Sequence, residues 1–423
     1  MTIYNLVSFV GLFALMGFAW CLSSNRRKMN WHLILWGVGL QSIFAFLIFV
    51  VFPTLPEKHN PFLWLNDAVF HVIASAGAGA EFVFGPLANP KTVGFVLAFQ
   101  AFPTIIFFSA LMSILYFCNI MPKIIRAFSY VFTKLMRISG AESLCASSNI
   151  FVGVESALTV KPHLNEMTRS ELCTVLTAGM ATVASNVMVL YVNILGAAFP
   201  MIAGHLISAS ILSAPAALIM SKILLPETES PVTLGRTVAP HYEREASLFE
   251  AIINGANAGM KLIFGIVALL IAVLGLVALA NLILGGISDG WSLQGFLGDL
   301  FAPLTLLLGV PPEETLTVSK LIGERMVVTE VVSYQNLAAA LKTGALSPRS
   351  AVIASYALCG FAHLASMAIF VGGISALAPK KTRELAQVGL TALVAATLAC
   401  LMTGCIAGVF FTDGSLLLGT AAR

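Results

Sequence analysis

The stretch "GMATVAS" at 179–185 returns as "GFAHLAS" at 360–366, and both copies of G-x-A-x-x-A-S lie inside long apolar runs. Reading outward from each copy, the same features recur in the same order. In the first half, acidic Glu142 opens a short segment, Gly153 interrupts it, Glu155 follows, and "RSEL" at 169–172 leads into the heptapeptide. In the second half, Glu313 and Glu314 open the segment, Gly323 interrupts it, Glu330 follows, and "RSAV" at 349–352 leads in. Small residues repeated along one helix are common contacts between membrane helices. A contact motif alone does not repeat an acid, a glycine, a second acid and an Arg-Ser pair in register, so the repeat is structural.

Composition places this repeat in a bilayer. The chain of 423 residues is 58% hydrophobic and 10% charged, with a mean hydropathy of +0.92; soluble domains carry about 25% charged residues. A net charge of +3 with scattered basic residues gives nucleic acid nothing to bind. The seven cysteines form no CxxC pair and lie in or beside apolar runs, which points to small core residues rather than disulfides or a zinc site. The first apolar stretch lacks a basic leader and a small-residue cleavage site and reads as a first transmembrane helix.

Runs of about 20 apolar residues can cross the hydrocarbon core as helices. They fall near 3–22, 32–53, 95–120, 170–196, 198–224, 257–284, 350–376 and 386–411. Basic clusters at Arg26–Lys28, at Lys123, Arg126, Lys134 and Arg137, at Lys222, Arg236 and Arg244, and at Lys380, Lys381 and Arg383 each follow an odd-numbered span. The positive-inside rule then puts both termini outside. Residues 142–165 and 313–341 are too broken to cross and are predicted to be re-entrant hairpins, interrupted at Gly153 and Gly323. Such irregular backbone must be packed in protein or line a wet cavity.

The runs 170–196 and 350–376 are the fourth and seventh spans, three crossings apart in the count, so the two heptapeptides run in opposite directions. The predicted fold is therefore all-α, a polytopic membrane protein of about eight transmembrane helices plus two re-entrant hairpins in an inverted repeat. Its parts are N-terminal scaffold helices (1–120), a first repeat (121–224), a cytoplasmic linker (225–256) and a second repeat (257–423). Inverted repeats with interrupted segments are the sequence mark of secondary transporters, with the site at the repeat interface.

Ionisable side chains inside a membrane face a cavity or a partner. Glu155 and Glu330, one per hairpin, can accept paired hydrogen bonds from vicinal hydroxyls or from the N–H edge of a base. Each could instead form a buried pair, for instance with Arg325 or Lys320. His363 and Ser366 share a helix face at i, i+3. Asn149, Ser148 and Thr182 offer hard oxygens of the kind Na+ takes.

Several stretches, "NIFVG" at 149–153, "LLPETE" at 224–229, "TEVVSY" at 329–334, "ALCGFAHLAS" at 357–366 and "SALAPKK" at 375–381, occur in an order that resembles the concentrative nucleoside transporters over nearly the whole chain. The resemblance implies a homotrimer in the bacterial inner membrane whose protomers each import a nucleoside with Na+, or with H+ as in some relatives, by an elevator-like motion of the hairpin domain. It implies base contacts from the first hairpin tip at Val154, Glu155 and Ser156, where the family reads G-Q-T-E-A-P. Ribose contacts fall on Glu330, His363 and Ser366; the family has Asn where His363 stands, Asn where Thr329 stands and Lys where Arg325 stands. The implied Na+ ligands are Asn149, Val152, Thr182 and Val183. No cofactor beyond the coupling ion is implied.

Other classes fit poorly. No G-x-x-x-x-G-K-[ST] phosphate loop serves an ATP-driven pump. His363 and Ser366 have no G-x-S-x-G or H-E-x-x-H motif beside them for hydrolysis, and no repeated pore filter supports a channel. Carriage of another small polar solute on the same fold is the nearest alternative.

Overall fold

The computed structural model describes residues 2–412 apart from 243, 244 and 289, so Arg244 of the third basic cluster and the end of the second repeat lie outside the described residues. In chain order the helices are α1 (Ile3–Cys21), α2 (Trp31–Phe46), α3 (Pro61–Phe84), the short α4 (Pro90–Val93) and α5 (Leu97–Gln100), α6 (Phe102–Phe117) and α7 (Ile120–Met136). The first hairpin is α8 (Gly140–Asn149) with the 3-10 segment Val154–Glu166. Then come α9 (Arg169–Ala181), α10 (Ser185–Leu195), α11 (Ile202–Leu224), α12 (Leu248–Ile287) and α13 (Leu293–Leu307). The second hairpin is α14 (Pro312–Val327) with α15 (Glu330–Lys342), followed by α16 (Pro348–Leu358), α17 (Leu364–Leu377) and α18 (Thr382–Phe410).

Both heptapeptides break their helices. α9 ends at Ala181 and α10 begins at Ser185; α16 ends at Leu358 and α17 begins at Leu364. Each broken helix opens on a hydroxyl cap, Thr168 with a reciprocal Glu171 and Ser347 with Ser350, which satisfies amide donors that a helix start leaves free. The Arg-Ser pairs of the sequence are these first turns. The breaks touch each other at Gly360, whose φ of +132° and closeness to the Ala181 carbonyl exclude a side chain: a Cβ there would lie 2.7 Å from that oxygen. Gly360→Ala should therefore cost about 3 kcal/mol, from strained backbone plus overlap. It would be read as a lowered thermal midpoint in detergent; an unchanged midpoint would mean the breaks can part freely.

The halves are interlocked. α10, the second part of the first broken helix, packs on α15 of the second hairpin, and α17 packs on the 3-10 arm of the first hairpin. α9 and α16 both pack on α11 and α18, whose middles are almost wholly buried. This exchange is what an inverted repeat requires, and it places both hairpin tips beside both breaks. α12 packs along α6 at the periphery and leaves most of its large apolar side chains exposed.

Three departures from the sequence reading have physical causes. The second hairpin turns at Val328–Thr329, not at Gly323, which lies within α14. That glycine serves close packing instead, since a Cβ on it would meet Leu297 of α13 at 2.6 Å. α12 begins at Leu248, so the linker between the halves spans 225–247 rather than 225–256.

The third departure is α3, a helix absent from the predicted spans. Among the described residues eight helical stretches are long and apolar enough to cross a bilayer, and Pro61–Val93 is one, while the broken 350–376 run is not. Position decides between them. Lys28, Arg137 and Lys222 line one common cavity, so they lie on one side and an even number of crossings separates Lys28 from Arg137. α7 is not long and apolar enough to cross, so one of α2, α3 and α6 lies along the bilayer. α3, the least apolar of the three, with Asn66, Asp67, His71 and Glu81 in its run, fits that place. With α16–α17 crossing as a broken pair, the total remains eight.

Candidate functional site

The cavity between the tips and the breaks is lined by Gly153, Val154 and Glu155 of the first hairpin, Thr329 and Glu330 of the second, and His363 and Ser366 at the start of α17. Apolar walls come from Val187, Phe370 and the α12 face around Leu262 and Ile266. A second cavity on the other side of the first tip shares Gly153, Glu155 and Asn186 with it and is lined by Tyr116 and Tyr242, whose rings lie tilted against each other at 5.5 Å. The hairpin tip thus stands between two connected spaces.

Glu330 is the centre of the polar arrangement. It is the first residue of α15 and 3% exposed. Its Oε1 accepts the Tyr191 hydroxyl at 2.6 Å, and its Oε2 lies 3.0 Å from His363 Nε2. Neither Arg325 nor Lys320 pairs with it among the described residues. Tyr191 comes from α10 and stacks at 4.5 Å on Tyr334, whose hydroxyl donates to the Ser355 carbonyl. A charged carboxylate at this depth needs such donors to offset its desolvation.

His363 plays two parts at once. It is the N-cap of α17, and its Nδ1 accepts the Ser366 amide at 3.2 Å. A nitrogen that accepts N–H carries no proton, so the neutral ring bears its hydrogen on Nε2. That Nε2–H is shared with Ser366 Oγ, 2.7 Å away, and lies 3.0 Å from Glu330 Oε2, a buried oxygen left without a hydrogen-bond partner of its own. The i, i+3 pairing expected of His363 and Ser366 is real, but it is a helix cap rather than two neighbours on a continuous helix.

The first-hairpin residues divide. Val154 and Glu155 face the cavity, Glu155 being exposed to it. Ser156 does not line it; it is 2% exposed and its hydroxyl turns to Cys145 Sγ at 3.7 Å. The turn of the 3-10 arm after Gly153 swings every third residue inward, and Ser156 falls on that inner face.

On the far side of the same tip, Asn149 is fully buried and donates its amide to the Cys145 carbonyl, while its Oδ1 has no hydrogen-bond partner. Ser148 Oγ, also buried, is likewise unpartnered. The Phe151 carbonyl accepts the Ser185 amide at 2.9 Å, which pins the tip against the break in α9–α10. Thr182 donates to Ala178 O and keeps its lone pairs, and the carbonyls of Val152 and Val183 accept no backbone hydrogen bond among the described residues. Buried unsatisfied oxygens are rare in native proteins and call for a cause. A small hard cation accepts oxygen ligands of this kind, and the broken helix contributes the negative end of α9. The residue set fits Na+.

Tyr191, Tyr334 and Asn186 were not legible in the sequence. Tyrosines are ordinary core residues, and nothing local marks α10 as facing the second hairpin.

An all-helical membrane protein with two interlocked, oppositely oriented halves, whose hairpins and broken helices converge on a buried polar cavity, is a secondary transporter by architecture. Comparison with known proteins narrows this. The chain matches the families described as Na+ dependent nucleoside transporter N-terminus over residues 10–87, nucleoside recognition (Gate) over 98–198, and Na+ dependent nucleoside transporter C-terminus over 205–408. It is 37% identical to an uncharacterized transporter of Haemophilus influenzae, covering 98% of this chain and 99% of that one. It is 36% identical to solute carrier family 28 member 3 of Mus musculus, covering 96% of this chain and 59% of the relative, so it spans about three fifths of that protein's length. The solved structure of CNTnw in an inward-facing substrate-bound state superposes with a TM-score of 0.90 at 34% identity, covering 98% of this chain and 100% of that one. The chain belongs to the Na+-dependent, or concentrative, nucleoside transporter family. It is an integral membrane transporter and not an enzyme.

Proposed function

We propose that this protein imports nucleosides across the bacterial inner membrane by symport with a cation. Na+ is the favoured coupling ion and H+ the alternative. The observation that carries the reading is Glu330, a buried carboxylate held between Tyr191 and His363 at the mouth of a cavity. Its geometry suits the vicinal hydroxyls of ribose. The first hairpin tip, with Val154 and Glu155, would face the base. Asn149, Val152, Thr182 and Val183 would hold Na+ behind the tip, so that ion binding orders the hairpin that closes over the sugar. The two hairpins, re-entrant in the bilayer, would travel with the broken helices as one block in an elevator-like cycle. The exposed apolar length of α12 supports assembly with further copies, as a homotrimer.

One positive charge descending about 100 mV supplies about 2.3 kcal/mol, and each tenfold of accumulation requires about 1.4 kcal/mol. A single coupled cation thus sustains about fiftyfold uptake from voltage alone. Uptake of radiolabelled uridine into proteoliposomes, with and without an inward Na+ gradient and against a panel of competing nucleosides, tests the reading. Saturable accumulation driven by the gradient is expected. Dissipation of the gradient without accumulation would indicate a channel, and turnover without uptake an enzyme.

The apolar Val154 stands where the family tip carries Gln, so base selection should differ from relatives with that amide. Val154→Gln adds a hydrogen-bonding edge to the cavity and should reorder the competition among purine and pyrimidine nucleosides at least threefold. An unchanged order would remove Val154 from base recognition.

A further inference from the structure

Arg325 is the largest side chain buried to 0% exposure in the described structure, and no carboxylate pairs with it among the described residues. Its Nη1 donates to the Ala357 carbonyl at 2.6 Å, while Nε and Nη2 have no hydrogen-bond partner. The neighbouring Glu324 is engaged elsewhere, accepting the Asn336 amide at 2.7 Å. An isolated buried charge is strongly disfavoured unless its surroundings are built for one.

The surroundings are those of a cation site. Ala357 lies in the last turn of α16, where carbonyls are freed by the break and the helix presents its negative end. The inverted repeat makes this the counterpart of the Na+ site proposed above. There, Asn149 near the end of the first arm of hairpin one lies by the end of α9; here, Arg325 near the end of the first arm of hairpin two reaches the end of α16. The two places adjoin, since Gly360 of the second break packs on Ala181 O of the first, and Cys400 Sγ bonds to Cys359 O between them.

We infer that Arg325 is a tethered cation that fills the second repeat's ion position, so that one mobile cation, not two, accompanies each nucleoside. A guanidinium fixed to the carrier returns with it on every cycle and moves no net charge. It neutralises the end of α16 at all times, whereas the end of α9 depends on an ion that comes and goes. This deepens the symport reading and rests on the assignment of Asn149, Val152, Thr182 and Val183 to Na+.

The test is the charge moved per nucleoside, from reversal potentials of purified protein in liposomes, with the steepness of the Na+ dependence of uptake. The wild type should move one charge with a Hill coefficient near 1. Arg325→Gln removes the fixed charge and adds an amide oxygen, and should raise both toward 2, whereas Arg325→Lys should leave both at 1. A guanidinium that merely capped α16 would alter stability and leave both quantities unmoved, so a Gln variant that still moves one charge overturns the inference while the symport reading stands. A wild type that moves two charges overturns it equally. A wild type indifferent to Na+ sinks the assignment of Asn149, Val152, Thr182 and Val183 to Na+, and this inference with it, while symport with H+ would stand. Should the Gln variant unfold in detergent without Na+, recovery by added Na+ supports the inference. Failure at every Na+ concentration, with the Lys variant folded, overturns it.

Discussion

Glu330→Gln should lower riboside uptake at least 100-fold while leaving the folded protein intact. The argument lies in the donors around the side chain. Tyr191 donates its hydroxyl to Oε1, and the His363 Nε2–H lies 3.0 Å from Oε2. An amide has only one oxygen, so its NH2 either faces the His363 N–H donor to donor or turns to Tyr191, whose hydroxyl must then accept instead of donate. His363 cannot relieve the conflict by changing tautomer, because its Nδ1 is committed to capping α17 through the Ser366 amide. Hydrogen bonds to charged groups contribute about 1.5–3 kcal/mol each. Loss of two, whether to the protein or to ribose hydroxyls, comes to roughly 3–6 kcal/mol, or about 10²–10⁴ in binding at 1.4 kcal/mol per tenfold. A role specific to the sugar would let 2′,3′-dideoxynucleosides lose far less than ribosides. Near wild-type uptake, or an equal loss for ribosides and dideoxynucleosides, would take Glu330 out of sugar recognition.

Much of this arrangement was legible because polarity inside a bilayer is conspicuous. Glu330, Glu155, His363 and the paired heptapeptides stand out against apolar runs, and parity of crossings alone set the two halves antiparallel. Glycine was read less well. Gly153 does mark a turn, but Gly323 is a packing glycine in a continuous helix, and the two uses look alike without knowing that Leu297 lies against it. α3 escaped notice because Asn66, Asp67, His71 and Glu81 interrupt its apolar run, as suits a helix lying along the surface. Tyr191 and Tyr334 had no local signal. Their part follows only from the exchange of α10 onto the opposite hairpin, a long-range consequence of the interlocked repeat.

That interlock would also let the two proposed sites share one cycle. The first hairpin contributes to the cavity through Val154 and Glu155 and to the proposed ion site through Asn149 and Val152, with only Gly153 and its neighbours between them. A cation behind the tip would hold the Asn149 amide, the Val152 carbonyl and the α9 end together, and so fix the tip facing the sugar. The coupling needs no long path, since one short turn belongs to both sites.

Removing the ion's ligands should accordingly weaken Na+ and nucleoside together. Thr182→Val keeps the side chain's shape and deletes one hydroxyl; Asn149→Ala deletes the only buried amide oxygen of the set, one that has no other partner. We expect the half-saturating Na+ concentration to rise at least tenfold in Thr182→Val and about 100-fold in Asn149→Ala, about 1.4 and 2.8 kcal/mol respectively. Because binding free energies are reciprocally coupled, saturating nucleoside should partly restore Na+ affinity, and saturating Na+ should partly restore nucleoside affinity. Thr182→Val also loses the bond to Ala178, at about 1 kcal/mol of stability, so thermal midpoints in a Na+-free buffer separate folding from ion binding. Titration of nucleoside binding at several Na+ concentrations checks all of this at once. If both variants keep the wild-type Na+ dependence, the unpartnered oxygens behind the first hairpin tip are not the coupling site, and the cation that drives uptake binds elsewhere.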